Sequence, residues 1–212
     1  MIQGRFIAFE GGEGTGKSTQ SRLLANALRA RGMDVVVTRE PGGTIGAEAI
    51  RALLLGPDGE GWNPRAEALL FAAARSDHVE RVIRPALAAG QWVICDRFVD
   101  SSRAYQGGGG GLSDEEITEL HRIGSCGLLP HLVVLIEVPP EEVAERLARR
   151  DAGAADRIGG RGGAYHARVG RAFVCLAEAE PRRFARINGG GAVQATQALI
   201  LAAVLPLLGA AP

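Results

Sequence analysis

Apolar positions along the chain fall into two patterns. RFIAFE at Arg5–Glu10, DVVVTR at Asp34–Arg39, QWVICD at Gln91–Asp96 and LVVLIEV at Leu132–Val138 are short runs of strand length. Most are apolar on both faces, as buried strands of a parallel sheet must be. Between them the spacing is helical. Ser18–Arg31 sets Leu23, Leu24, Ala27 and Leu28 on one face and stops at Gly32. Ile45–Leu55 reads as a helix ended by Gly56. Pro64 opens a helical stretch that runs to about Ala89 and bends before Pro85. Ser113 with Glu116 has the form of a capping box. Further helices are expected at Pro140–Arg150, Ala164–Glu180 and Val193–Leu208, with a weak strand at Phe184–Asn188. Gly11–Lys17, Glu40–Thr44, Pro57–Asn63 and Arg97–Leu112 read as turns and loops, and the Gly- and Ala-rich Asp151–Gly163 as a mobile segment. Strands that alternate with helices in this way predict an α/β fold, a parallel sheet with helices on both faces. With no linker and no internal repeat, one domain over residues 1–212 is expected.

One turn carries chemistry. Gly11-Gly12-Glu13-Gly14-Thr15-Gly16-Lys17-Ser18 fits G-x-x-x-x-G-K-[ST] and lies between a strand and a helix. Glycines let backbone N–H groups converge on phosphate oxygens, and the helix N-terminus adds positive potential. The segment from Gly11 through Thr19 is therefore the candidate nucleoside-triphosphate-binding loop, with Lys17 as the mobile charge on the outer phosphates. Ser18 offers a hydroxyl to Mg²⁺. Asp96, at the end of a hydrophobic strand, is the second candidate metal ligand.

Composition sharpens this picture. Of the 24 basic residues, 23 are Arg and one is Lys. A lone lysine that falls on the phosphate-loop position points to chemistry that arginine does not supply. It also removes one class of function. GTP-binding switches read guanine with N-K-x-D, and no lysine remains to build that motif. The 24 acidic residues cancel the basic ones, so charge gives no reason to expect nucleic acid or a membrane surface as partner. The longest apolar run, Ala198–Leu205, is far short of the ~20 residues that span a bilayer. Cys95, Cys126 and Cys175 form no C-x-x-C pair, and reduced thiols in a cytoplasm are the simplest reading. A small phosphotransferase is favoured over a P-loop ATP-binding regulator without transfer activity.

FEGGEGTGKSTQ, TREPGG, FAAARSDH and DRFVDSSRAYQG occur in the order and spacing of bacterial thymidylate kinases, and the chain resembles that family from about Ile7 to Arg161. The resemblance implies the P-loop nucleoside monophosphate kinase fold. That is a five-stranded parallel sheet, usually ordered 2-3-1-4-5, with a lid, here approximately residues 149–163. It implies transfer from ATP to dTMP with Mg²⁺, in a cytoplasmic homodimer. Another monophosphate such as dUMP or AMP is the alternative acceptor. Phe71 and Arg75 are four residues apart and share a helix face; in the family this pair holds thymine. Arg97 suits the acceptor phosphate, and Arg39 is similar to the family's second anion-facing arginine. Tyr105 resembles the tyrosine that packs on the sugar, and Ser102 and Gln106 are polar candidates near the base. Glu13 resembles the acid that meets the acceptor 3′-hydroxyl. Gly14 stands where some members place an arginine, so Arg149 and Arg150 are expected to supply that charge from the lid. Asp156-Arg157 resembles the lid's D-R pair, but Gly159 replaces the acid of the common D-R-x-E. Adenine is expected near Asn188–Gly191 and Arg146.

Overall fold

The computed structural model describes residues 4–56, 61–150 and 156–209, the side chains of Arg149 and Arg150 apart. Five strands form one parallel sheet: β1 (Phe6–Glu10), β2 (Val35–Arg39), β3 (Trp92–Asp96), β4 (Leu132–Glu137) and β5 (Phe184–Asn188). Their spatial order is β2-β3-β1-β4-β5, the order the resemblance implies. β1 is central, and Ile7 pairs with both Ile94 and Leu132. Every side chain of β1 is buried, which explains its continuous apolar run.

Helices cover both faces. On one face α1 (Lys17–Arg29) and α9 (Val193–Val204) bury Leu24, Leu28 and Ile200 against Ile7, Phe9, Ile94 and Val134. On the other side lie α2 (Ile45–Leu55), α3 (Pro64–His78), α6 (Asp114–Ser125) and α8 (Gly163–Ala179). The capping box is present: Ser113 Oγ accepts from Glu116 N at 3.2 Å, and Glu116 Oε2 accepts from Ser113 N at 2.9 Å. α7 (Pro140–Arg150) follows β4.

Three elements differ from the pattern-based expectation. The long helical stretch is not uniform: a wide π-helical turn at Val79–Ile83, just before Pro85, separates α3 from α4 (Arg84–Ala88). A proline lacks the N–H that would continue the ladder, and the wider turn absorbs that loss. The second difference is larger. Arg97–Leu112 is expected as a loop, yet α5 (Val99–Ser102) and a π-helical segment Arg103–Gly109 run through it. The glycines permit close approach: a Cβ on Gly108 would lie 2.4 Å from Ala172 Cβ, and one on Gly109 2.6 Å from the Tyr165 ring. Lack of side chains is thus what seats α8. Thirdly, the final helix divides at Pro206 into α9 and the short α10 (Pro206–Gly209). Of the segment 149–163 expected as a lid, residues 151–155 lie outside the described residues, and 156–162 form a turn ahead of α8.

Candidate active site

The register of the sheet brings the site together. Phe9 on β1 pairs with Asp96 on β3, so the chain leaves both strands at the same level and the same edge. The turn after β1 requires glycine. Gly11, Gly14 and Gly16 have φ of 135°, 71° and 92°, and a Cβ on Gly11 would stand 2.5 Å from Ile136 O. Gly16 then starts α1, whose first residues are Lys17, Ser18 and Thr19.

Lys17 is 6% exposed. Its ammonium donates to Gly12 O at 2.6 Å and to Thr15 Oγ1 at 3.5 Å. Burial, reinforced by the positive charge of Arg97, pulls its pKa down to about 8, against the pull of Glu13, Asp96 and Glu10. Ser18 Oγ donates to Asp96 Oδ2, so the two candidate metal ligands touch.

Arg97 follows β3 with a positive φ of 72°. Its guanidinium donates to Gly11 O and Ser101 Oγ, each at 3.1 Å, to Glu13 Oε1 at 2.5 Å and to Tyr105 Oη at 3.2 Å. The Tyr105 ring lies 5.0 Å below it. This fork is supported from beneath by Glu10, a fully buried carboxylate that accepts from Phe98 N, Ser101 N and Ser101 Oγ at 2.8, 3.0 and 2.6 Å. Burial and the nearby Asp100 push Glu10 up to about 7. Sequence reasoning missed Glu10; its signal is an acid at the end of an otherwise apolar strand.

Above these groups opens a cavity of about 580 Å³. Glu13, Gly14, Gly16, Lys17, Ser18 and Thr19 line it from the phosphate loop and the start of α1, and Phe71, Ser102, Tyr105 and Gln106 from α3 and the segment after β3. Asp96 and Arg97 line it too, and Arg97 bridges the two sets through Glu13 and Tyr105. Arg39 also lines it, held by Glu48 at 3.1 and 3.2 Å. Gly11, Gly12, Thr15 and Arg75 are outside the lining. Arg75 lies one layer back at 3% exposure, where it donates to Glu40 Oε2 at 2.7 Å and Ser102 Oγ at 2.8 Å. The side chains of Arg149 and Arg150 lie outside the described residues. Two cations unassigned by sequence reasoning, Arg22 and Arg51, reach the cavity or its rim, and so does Arg146, expected near adenine. Arg51 is held by Pro41 O at 2.8 Å, and its signal is a lone cation in the apolar helix IGAEAIRALLL. Arg146 joins α7 to the loop region expected to hold adenine, through Gly189 O at 2.7 Å, and to Thr15 O at 3.4 Å.

A family model for thymidylate kinase matches residues 9–200. The chain belongs to the thymidylate kinase family. It is 56% identical to the thymidylate kinase of Rhizorhabdus wittichii, over 98% of this chain and 100% of that protein. It is 47% identical to that of Caulobacter vibrioides, over 99% and 100%. Among solved structures, thymidylate kinase from Ehrlichia chaffeensis superposes with a TM-score of 0.77 at 31% identity, over 95% of this chain and 99% of that one. Within the family pattern, Gly14 leaves this phosphate loop with Lys17 as its only cationic side chain.

That lysine supplies a test. In the free protein it loses its proton near pH 8, and triphosphate binding favours the charged form. ATP binding above that pH should therefore take up a proton, and ATP affinity should fall as pH rises through about 8. Calorimetry near pH 9, in two buffers of different ionisation enthalpy, should report uptake approaching one proton, absent in Lys17→Met. Buffer-independent heats near pH 9, with ATP affinity unchanged in Lys17→Met, would show that Lys17 does not meet the phosphates.

Proposed function

We propose that this chain transfers the γ-phosphoryl group of ATP to dTMP, giving dTDP and ADP. One observation carries the reading: the phosphate loop and the Phe71–Tyr105 pocket open into the same cavity, with Arg97 between them. ATP enters at the loop, where phosphate oxygens replace Gly12 O as the partner of Lys17. The thymine ring stacks on Phe71, with Ser102 and Gln106 at its polar edge and Arg75 behind Ser102. The Tyr105 ring fills the space beside the sugar. Arg97, Arg39 and Arg51 face the acceptor phosphate, and Glu13 lies within reach of the sugar hydroxyl.

The reaction needs no base. The dTMP phosphate is mostly ionised at neutral pH, and one of its oxygens attacks the γ-phosphorus. A P–O bond forms, the bond to the β–γ bridging oxygen breaks, and ADP leaves with that electron pair. Catalysis is then alignment and charge stabilisation. Ser18 and Asp96 supply hard oxygen donors suited to Mg²⁺, which when bound would neutralise charge on the triphosphate. We read Arg149 and Arg150, at the end of α7, as the lid cations that meet the transferred group, and residues 1–212 as one domain with its lid at about 149–163.

Two further readings accompany the activity. No helix among the described residues is long and apolar enough to cross a membrane, and we place the enzyme in the cytoplasm. We also propose a homodimer. Leu53, Leu69 and Ile123 are 54%, 55% and 65% exposed on α2, α3 and α6, which pack side by side. A second copy would cover them.

A coupled assay of ADP release should give dTMP a higher kcat/KM than dCMP, AMP, GMP or UMP. Arg149→Ala or Arg150→Ala should lower kcat by about 100-fold, ~2.7 kcal/mol, with ATP affinity changed much less. Equal turnover of AMP and dTMP would refute the acceptor assignment. An unaffected kcat in both single variants and the double would refute the lid cations. In sedimentation the wild type should run at twice the chain mass, and Leu69→Glu with Ile123→Glu at the chain mass. A wild-type monomer would contradict the dimer.

A further inference from the structure

Glu67 begins the same helix face that carries Phe71 and Arg75, four and eight residues further along α3. It is a carboxylate at 4% exposure, and a buried charge must find partners. It finds two, from different parts of the chain. Gln106 Nε2, at the edge of the base pocket, donates to Glu67 Oε1 at 2.8 Å. Arg161, from the turn that ends the lid, donates to both carboxylate oxygens: Nη1 to Oε1 at 3.3 Å, and Nη2 to Oε2. Arg161 also donates to Tyr165 Oη at 2.7 Å and stacks on that ring at 4.7 Å. Tyr165 Oη in turn donates to Tyr105 O at 3.0 Å.

The lid turn itself is ordered around this contact. Asp156 Oδ1 accepts from Ile158 N and Gly159 N at 3.0 and 2.8 Å. Ile158 is 6% exposed, in the cluster that holds Tyr105, Tyr165 and Phe71. Asp156 and Ile158 line the main cavity, and Gln106 lines both that cavity and a smaller one of about 260 Å³ between Trp62, Glu67 and Arg161. The D-R-x-E acid is missing from this lid, with Gly159 in its place. Here the lid brings a cation, two residues later, to an acid on α3.

We propose that Glu67 is a positioning residue that couples lid closure to occupancy of the base pocket through Arg161 and Gln106. The proposal rests on the reading of that pocket as the dTMP site. With its NH₂ committed to Glu67, Gln106 has its carbonyl end to offer a donor on the base. A base that engages that end holds the amide in the orientation that supports Glu67, and Glu67 holds Arg161. When the lid opens, Arg161 leaves and Glu67 keeps only Gln106. Binding of dTMP therefore favours the closed lid, and by reciprocity the closed lid tightens dTMP binding. ATP, whose phosphates meet the phosphate loop, has no such contact with Glu67.

The test uses the full-length chain with dTMP alone and with ATP alone. In the wild type, dTMP without ATP should slow amide hydrogen exchange across residues 156–163. Arg161→Ala and Glu67→Gln should each abolish that protection at saturating dTMP. They should weaken dTMP affinity by about tenfold and leave ATP affinity within about twofold. The double variant should be no worse than the worse single one, because both remove the same link. Arg161→Lys, which returns a cation, should recover part of the dTMP affinity. Arg161 lies in a partly exposed turn, so its variant decides the matter even if Glu67→Gln fails to fold. Wild-type dTMP affinity and protection in Arg161→Ala would overturn the coupling alone. Equal weakening of ATP and dTMP would overturn it as well, in favour of a structural role. A wild-type chain that binds no dTMP would overturn the function reading and this inference together.

Discussion

Everything in the site depends on keeping cations out of water at one edge of the sheet. Two nucleotides must meet there with their phosphates facing, and those phosphates repel. Lys17 and Arg97 supply the positive charge; Lys17 is buried and Arg97 is partly buried. Each would be unfavourable alone. Glu13, Asp96 and Glu10 stand close enough to hold them ionised. At an effective dielectric of ~20, unit charges ~4 Å apart interact by ~4 kcal/mol, so a small number of carboxylates suffices. The same acids keep the cations from being neutralised completely. Glu13 and Asp96 hold Arg97 and Ser18 in place until phosphate or metal arrives.

The fold serves that constraint through register. Phe9 paired with Asp96 sets the phosphate loop, the metal-ligand candidates and the Arg97 fork at one level. Glu10, the last residue of β1, reaches under the loop that follows β3 and fixes Ser101, which in turn fixes Arg97. The central strand thus determines both where the phosphate-loop motif starts and how Arg97 is aimed. The rest of the cavity wall is built differently. α3 supplies Phe71, α5 supplies Ser102, and the π-helical segment after it supplies Tyr105 and Gln106. The glycines of that segment let α8 pack closely enough to bring Tyr165 beside Tyr105.

Much of this was legible in the residues. The phosphate loop has fixed spacing and a strand–turn–helix context, so Lys17 and Ser18 could be named directly. Asp96 followed from its place at the end of a buried strand. Phe71 and Arg75 share a face by periodicity, but periodicity gives direction without depth, and Arg75 lies one layer behind the cavity. Glu10, Arg51 and the Glu67–Arg161 pair were not legible. Their partners lie from 10 to 94 residues away in the chain, and only the folded topology brings them together. The Arg97–Leu112 segment was misjudged for a related reason: a glycine run has no helical preference of its own, and its conformation comes from the helix packed against it.

The central claim is that one cavity holds both nucleotides with their phosphates end to end over Lys17 and Arg97. A dinucleotide that joins adenosine and thymidine through a chain of five phosphates would span both halves at once. Calorimetry with this compound measures the claim most directly. The account predicts one molecule bound per chain, tighter than ATP or dTMP alone, with both ATP and dTMP excluded while it is bound. It also predicts affinity lowered by about 100-fold or more in Lys17→Met, as expected for loss of a buried charge-assisted contact. If ATP still binds the saturated complex with its ordinary affinity, the two nucleotides occupy separate sites and the account is wrong.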